Sequence, residues 1–218
     1  MATPRSQRIG IWIIAIVMAV GTIGSFIVIV LSMTNDKSDQ AKLTELMSQY
    51  EAEVEAYQTK VTDQNTQLAA EYYDEVNAYS SRPAVFDAAS VTELKTEDIV
   101  IGDGDEITAS SSFVAFYIGW NPSGVVFDSS IENGALKAPF SVSPGGVIQG
   151  WSEGVVGMKE GGVRELTIPS AKAYGETGSG DNIPPNTPLK FIIFIPKQDN
   201  FTQPEPSDEL VRLYEQSQ

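Results

Sequence analysis

The 218-residue sequence contains no cysteine and no histidine. The missing cysteines exclude a disulfide framework, a thiol nucleophile and a lipid-bearing cysteine, and with no histidine either a conventional zinc site is excluded too. The missing histidines also exclude every catalytic triad that depends on an imidazole base. Any chemistry must therefore use carboxylates, hydroxyls, lysines, backbone amides or the shape of a pocket, and we expect no metal and no cofactor.

Basic residues are scarce as well. The chain has 14 lysines and arginines against 29 acidic residues, which gives a formal net charge of −15. Nucleic acid is excluded as a partner because such a surface cannot neutralise phosphates. This acidity is typical of a well-solvated surface that faces water or the cell exterior.

A long uncharged run, IGIWIIAIVMAVGTIGSFIVIVLSM, occupies residues 9–33. Its length fits one helical crossing of a bilayer core ~30 Å thick. A cleaved signal peptide is disfavoured because its apolar part runs only ~7–15 residues and no cleavage pattern follows here. A buried core helix is disfavoured by the length of the run. Arg5 and Arg8 precede it, so we predict a single-pass anchor in the cell membrane, with residues 1–8 cytoplasmic and the remainder extracytoplasmic.

Residues 36–81 contain neither glycine nor proline and are rich in glutamate, glutamine and alanine. Apolar residues recur there with heptad-like spacing, at Leu43, Met47, Tyr50, Val54, Tyr57, Val61 and Leu68. Gln64 occupies the one polar position of this pattern. This pattern predicts a long helical stalk. Two interpretations remain open, a coiled coil that pairs two chains into a homodimer and a single amphipathic helix that folds back on its neighbour.

The periodicity changes at Pro83, which ends the helical pattern. Residues 82–90 are predicted to be a linker. Short segments rich in β-branched or aromatic residues then predict antiparallel strands at 97–101, 112–118, 164–168 and 189–195. Residues 198–218 form a polar tail, with one short helix predicted at 207–215 and Ser207 as its N-cap.

A series of short motifs runs through the strand-rich part of the chain. In order, they are Tyr117-Ile118-Gly119, Phe127-Asp128-Ser129-Ser130, Val147-Ile148-Gln149-Gly150-Trp151, Leu166-Thr167-Ile168-Pro169, Ala173-Tyr174-Gly175, Ile183-Pro184-Pro185 and Leu189-Lys190-Phe191. In this order and at these spacings they resemble the FKBP family of peptidyl-prolyl cis-trans isomerases, the rapamycin-binding immunophilins. The resemblance covers roughly residues 91–197 and, with the anchor, points to a membrane-anchored bacterial member.

The resemblance implies an α+β domain at residues 91–197, in which a half-open five-stranded antiparallel sheet wraps around a short helix at 149–155. The transmembrane helix and the helical stalk would precede this domain. The resemblance assigns a catalytic role to Tyr174, Asp128, Trp151, Phe127 and Ile148. It assigns substrate binding to Tyr117, Phe140, Val147, Ile183 and Phe191.

These residue types suit the activity on physical grounds. An X–Pro bond rotates over a barrier of about 20 kcal/mol, and the twisted transition state loses amide resonance and charge separation. A site that accelerates the rotation needs apolar walls and a few donors for the flanking backbone, and it needs no nucleophile. Trp151 would be the floor under the prolyl ring. The N–H of Ile148 and the hydroxyl of Tyr174 would hold substrate carbonyls, and Asp128 would help to anchor Tyr117.

The function expected from this resemblance is isomerisation of X–Pro bonds in extracytoplasmic, proline-containing polypeptides. The alternative is a membrane-tethered binding or chaperone module that uses the same pocket without catalysis. Asp128 and the serines after it could also form only a hydrogen-bonded turn. The loop at 175–185 has a polar tip, Ser179-Gly180-Asp181-Asn182, where an apolar one is usual, so substrate preference and the binding of rapamycin-class macrolides stay open. Lys137 is the one cation that the sequence offers as a partner for Asp128.

Overall fold

The computed structural model describes residues 37–216, which divide into two compact units. One unit comprises residues 37–61 and 201–216, and the other comprises residues 62–200. The predicted anchor at residues 9–33 lies outside the described residues. Within residues 37–216, no helix combines the length and the apolar character that a membrane crossing requires.

The helices of the described chain are α1 (Lys37–Glu71), α2 (Tyr73–Asn77), α3 (Gln149–Gly154) and α4 (Asp208–Gln216), with single 3-10 turns at Ala88–Ser90 and Ser170–Lys172. The strands are β1 (Lys95–Val100), β2 (Phe113–Trp120), β3 (Val126–Ser129), β4 (Ile131–Glu132), β5 (Ala135–Leu136), β6 (Phe140–Val142), β7 (Gly162–Ile168) and β8 (Leu189–Ile195). These bounds agree with the predicted strands and with the short helix predicted at 149–155.

In the first unit, the start of α1 packs against α4. Leu43 and Met47 form a buried cluster with Leu210 and Leu213, and Lys42 Nζ lies 2.7 Å from Glu209 Oε1. The predicted N-cap is confirmed, because the Leu210 N–H donates to Ser207 Oγ at 3.2 Å. At this end of the seam, the helix therefore folds against a neighbour within its own chain.

The second unit is built on an antiparallel sheet with strand order β1-β7-β8-β2-β3. The expected five strands are all present, and β6 is a sixth that pairs with the first half of β2. A separate hairpin of β4 and β5 follows β3. Strands β2 and β8 read as nearly continuous apolar runs because the residues on both of their faces are buried.

One face of the sheet, called the front face here, packs against α3. Ile193 and Phe191 of β8 and Leu166 of β7 share one buried cluster with Trp151 and Val155. The backbone of α3 approaches β7 closely: a Cβ added to Gly150 would lie 2.3 Å from Ile168 Cγ2. Glycine at position 150 therefore lets the helix sit directly on the strand.

The opposite face, called the back face here, is covered by the chain that comes before the sheet. Its buried residues form a second cluster, which comprises Phe116, Trp120, Val163, Ile192 and Phe194 together with Leu68 and Val76. Tyr72, Tyr79 and Phe86 pack on the same cluster. We refer to residues 62–90, which supply this covering layer, as the cover segment.

The helical stalk predicted over residues 36–81 is present in part, with an interruption at Tyr72. There α1 ends, Tyr72 takes φ −94° and ψ 3°, and the short helix α2 begins. The Tyr72 ring lies 4.9 Å from the ring of Phe194, and burial raises the pKa of its hydroxyl. The helix breaks where it turns an aromatic ring onto the back face, a tertiary contact that the helical pattern did not reveal.

The predicted linker, residues 82–90, is attached to the sheet by polar contacts. Arg82 Nε lies 3.1 Å from Glu165 Oε2, and Lys190 Nζ lies 2.7 Å from Glu165 Oε1. The Glu165 side chain is 8% exposed, so it needs both cations as partners. The N–H of Phe86 also donates to the Pro122 carbonyl at 3.1 Å.

Candidate active site

The front face brings the predicted apolar site residues into one cluster. Trp151, Ile183 and Phe191 are buried members, and half-buried residues pack around them, namely Tyr117, Phe127, Phe140, Val147, Ile148 and Tyr174. These residues come from β2, β3, β6, α3, β8 and the loops that follow β6 and β7. Asp128 alone of the predicted set stands outside the cluster, exposed at its rim.

Trp151 is the centre of the site. Its ring is 5.4 Å from Tyr117, 5.4 Å from Phe191 and 6.4 Å from Phe140, and all three pairs are edge-on with interplanar angles of 86–88°. Edge-to-face packing is a favoured arrangement of aromatic pairs. Because the Trp151 residue is only 4% exposed, it forms the base of the site, while the half-buried rings of Tyr117 and Phe140 reach the surface.

One wall of the site depends on the absence of a side chain at Gly119. Phe127 and Phe191 meet edge-on with ring centroids 5.5 Å apart. A Cβ at Gly119 would lie 2.6 Å from Phe191 Cε1 and 2.8 Å from Phe127 Cζ. Glycine is therefore required at position 119 for both rings to hold their places.

Asp128 and Tyr117 form the polar rim. The Tyr117 hydroxyl donates to Asp128 Oδ2 at 2.7 Å, as predicted. Asp128 Oδ1 also accepts from the Ser129 N–H at 2.9 Å, so the hydrogen-bonded turn is present as well. Within residues 37–216, Asp128 has no ion pair, and Lys137 does not fill that role.

Ile148 stands at the N-cap of α3, where its carbonyl accepts from the N–H of Trp151 at 3.0 Å. In the part of the chain that the structure describes, no protein group accepts a hydrogen bond from the Ile148 N–H. The first N–H groups of a helix have no partner within the helix. This N–H, on a residue that packs against the aromatic cluster, is thus a donor that the fold leaves available.

The exposed side of α3 is fixed by charge. Glu153 accepts hydrogen bonds from Lys172 and from Gln149 Nε2, the latter at 2.7 Å. These two bonds, with Lys172 as the larger cause, lower the pKa of the Glu153 carboxyl. The contact joins α3 to the 3-10 turn Ser170–Lys172, which ends two residues before Tyr174, so it links two elements that position site residues.

A loop of residues 175–186 follows Tyr174 and carries Ile183 into the cluster. It is closed by its own backbone: the Ser179 N–H donates to the Ile183 carbonyl at 2.7 Å, and the Asn186 N–H donates to the Gly175 carbonyl at 2.8 Å. The polar tip predicted at Ser179-Gly180-Asp181-Asn182 is therefore a folded turn rather than an open tail.

A cavity of about 380 Å³ lies away from these residues. Its lining includes Asp105, Glu106 and Glu160, and burial together with Asp105 raises the pKa of the Glu160 carboxyl. Ile107 and Phe113 also line this cavity, but three carboxylates, two serines and an asparagine make most of its walls polar, whereas rotation of a prolyl amide needs apolar walls. The aromatic cluster on the front face is therefore the better candidate.

Sequence reasoning missed several residues that hold the site. Ser130, which is 2% exposed, accepts the Tyr117 N–H at 2.9 Å. Asn121 donates through Nδ2 to the Asn182 carbonyl at 2.9 Å. The Asn-Pro-Ser-Gly sequence at 121–124 did carry a signal, because asparagine at the start of a turn commonly caps the backbone that follows. Nothing local to that sequence identified the distant loop as its second partner.

Comparisons with known proteins identify relatives of this chain. The family model for FKBP-type peptidyl-prolyl cis-trans isomerase matches residues 104–195. The chain is 42% identical over 106 residues to the FK506-binding protein of Neisseria meningitidis serogroup A, a match that covers 48% of this chain and 94% of the relative. It is 43% identical over 102 residues to FK506-binding protein 4 of Dictyostelium discoideum, covering 46% of this chain and 27% of that protein. A crystal structure of a peptidyl-prolyl cis-trans isomerase from Pseudomonas syringae is similar at a TM-score of 0.43 and 27% identity, over 67% of this chain and 93% of that one.

Proposed function

The chain belongs to the FKBP-type peptidyl-prolyl cis-trans isomerases, and we propose that its front-face aromatic pocket rotates X–Pro bonds in proteins outside the cytoplasm. The observation that supports this assignment of the site most directly is the convergence of the aromatic rings on Trp151. The prolyl ring of the substrate lies on the Trp151 face, between Tyr117, Phe127 and Phe140. Apolar walls favour the twisted amide, which is less polar than the planar one.

Two donors hold the substrate backbone in this proposal. The Ile148 N–H, without a protein partner within residues 37–216, donates to the carbonyl next to the prolyl ring. The hydroxyl of Tyr174 contacts a second carbonyl at the edge of the pocket. Asp128 acts through Tyr117, whose ring it fixes by the 2.7 Å hydrogen bond. Val147, Ile183 and Phe191 complete the apolar walls.

The roles of the two donors can be tested on the full-length protein with a peptide of the Ala-Leu-Pro-Phe type. Ile148 has φ −59°, which suits proline, so Ile148→Pro removes the N–H with little change of backbone shape. Losing one positioned hydrogen bond is expected to lower kcat/KM by about tenfold. Ile148→Val keeps the N–H and serves as the matched control, with an expected change of less than about twofold.

Tyr174→Phe tests the second donor and should lower kcat/KM by about fivefold if the hydroxyl contacts substrate. Tyr79→Phe is its control, because Tyr79 packs on the back-face cluster. If the wild-type protein isomerises the peptide no faster than buffer alone, catalysis is contradicted and the alternative, a tethered binding or chaperone module, is favoured. Equal losses in Tyr174→Phe and Tyr79→Phe would contradict the role of Tyr174.

The extracytoplasmic setting rests on the predicted anchor, on the arginines before it and on the net charge of −15. Labelling of lysines on intact cells by a membrane-impermeant reagent tests it. Modification of the region after the anchor supports the proposed orientation, and protection until the cells are opened contradicts it. The bacterial origin stays a prediction.

Binding of a rapamycin-class macrolide belongs to the same proposal, because the names of the relatives refer to FK506 and such a ligand would occupy the prolyl site. Competition between macrolide and peptide substrate measures it. Homodimerisation through α1 is also retained as a proposal, supported by the half-exposed middle of the seam at Val54, Tyr57 and Val61. Sedimentation of the full-length protein distinguishes dimer from monomer.

A further inference from the structure

The loop at residues 175–186 is connected to the turn at residues 121–124 by one side-chain hydrogen bond. Asn121, directly after β2, donates from Nδ2 to the carbonyl of Asn182 at 2.9 Å, across 61 positions in sequence. Asn182 immediately precedes Ile183, which is buried in the front-face cluster. A single side-chain amide thus joins the end of β2 to the residue before a pocket wall.

The same side chain organises its own turn through its other atom. Asn121 Oδ1 accepts from the N–H groups of Ser123 and Val125, at 3.0 and 3.2 Å. The Asn121 N–H donates to the Val125 carbonyl, and its carbonyl accepts from Gly124. The oxygen therefore serves the turn and the nitrogen serves the loop, so the two functions can be separated by changing single atoms.

The turn at residues 121–124 is itself held in place by the cover segment. The Phe86 N–H donates to the Pro122 carbonyl at 3.1 Å, and the backbone of the cover segment lies within 3.1–3.2 Å of a Cβ position built on Gly124. Asn121 itself is 9% exposed. A buried amide with donor and acceptor both satisfied, on a turn held from behind, is well placed to fix a loop.

We propose that Asn121 is a positioning residue for the isomerase, which holds the 175–186 loop over the pocket and thereby sets how tightly the residues flanking proline are bound. This inference rests on the proposed function of the front-face pocket. The loop would contact substrate in its ground state and in its transition state alike. Loss of the connection is therefore expected to raise KM by about fivefold while kcat changes by less than about twofold.

The decisive variant is Asn121→Asp in the full-length protein, which keeps Oδ1 as the acceptor for the turn and replaces the Nδ2 donor to the loop with an oxygen that cannot donate. Asn121→Ser is an uncharged second variant, because its hydroxyl can still cap the turn but is too short to reach Asn182. Asn133→Asp, at an exposed turn between β4 and β5, is the charge-matched control.

Amide hydrogen exchange provides a readout that needs no catalysis. The amides of Ser179 and Asn186 report on the loop, and those of Ser123 and Val125 report on the turn. In both variants we expect about tenfold faster exchange in the loop with the turn nearly unchanged, together with the higher KM. The proposal would be overturned if the loop amides of the variants exchanged at the wild-type rate, or if the loop and turn amides exchanged faster by the same factor. A wild-type protein without isomerase activity would instead overturn the proposed function, while the exchange data would still show whether Asn121 holds the loop.

Discussion

Both faces of the sheet carry aromatic residues, but these residues are partly exposed on the front face and buried on the back face. On the front face, Tyr117, Phe127 and Phe140 remain half-exposed around Trp151. On the back face, Phe116 and Phe194 are at most 1% exposed because the cover segment lies over them. Aromatic rings on one face are left open to a ligand, and aromatic rings on the other are sealed by the chain itself.

This difference shows how the chain separates binding from stability. A pocket for substrate must leave apolar surface uncovered, which gives up stabilisation that burial would supply at about 25 cal/mol per Å². The back face has no such constraint, and it gains a layer of its own.

The largest expected effect comes from removing the cover segment. A fragment of residues 91–200 would expose the back-face cluster, and we expect it to aggregate or to unfold at low urea concentration. The lost burial of Leu68, Tyr72, Val76 and Phe86 amounts to several kcal/mol at about 1.5–3 kcal/mol for each side chain, against a total stability of about 5–15 kcal/mol.

The matched control is the fragment of residues 62–200, which retains the whole second unit and should unfold cooperatively in urea. Similar unfolding midpoints for the two fragments would contradict a stabilising role for the cover segment. Such a result would leave the family domain, as predicted at residues 91–197, able to fold alone.

The next prediction compares Trp151 and Trp120, both buried, by the same substitution. Trp151→Leu removes the floor of the pocket and should lower kcat/KM by about tenfold or more, as measured with the peptide assay. Trp120→Leu, in the back-face cluster, should lower the free energy of unfolding by about 2 kcal/mol and leave kcat/KM within about twofold. Within residues 37–216, Trp120 Nε1 has no hydrogen-bond partner, so its loss removes no bond. If both variants lost activity equally, the two faces would not be functionally separate.

The sequence predicted the front face far better than the back face, and the reason is physical. Pocket residues such as Trp151 and Tyr174 lie in short ordered motifs, so local pattern and spacing were enough to find them. Leu68 was correctly assigned to the apolar seam of a helix. Which surface would bury Leu68, a second chain or the sheet, depends on tertiary contacts that a heptad pattern does not encode.

Long-range polar contacts were equally inaccessible from the sequence. Arg82 and Glu165 are separated by 83 positions, and nothing near either residue indicates the other. The prediction of a linker at residues 82–90 rests on Pro83, which ends the helical pattern. Their attachment to β7 and β8 becomes visible only when the strands are assembled.

A smaller effect is expected from the polar part of the back face. Glu165→Leu leaves Arg82 and Lys190 without their shared carboxylate. Both cations retain some access to solvent, so the free energy of unfolding should fall by only about 1–2 kcal/mol in urea titrations. Glu97→Gln is the control, since Glu97 is exposed and its Oε1 lies 3.9 Å from Arg82 Nη2. A loss of activity beyond that of stability in Glu165→Leu would show that this network also shapes the pocket.

The smallest expected effect is a pH dependence on the front face, where Glu153 joins α3 to Lys172. The hydrogen bond from Lys172 and the one from Gln149 lower the pKa of Glu153 below its ordinary value of 4.5. A carboxyl whose pKa is lower in the folded state stabilises the fold fully above its unfolded pKa and loses that contribution as the pH falls through the folded pKa. Glu153→Gln should therefore be slightly less stable than wild type in urea at pH 7, and the difference should disappear as the pH falls below 4.5. Lys172→Met, which removes the other partner, should give the same pH profile. A difference that persists unchanged in acid would mean that the contact acts through packing rather than charge.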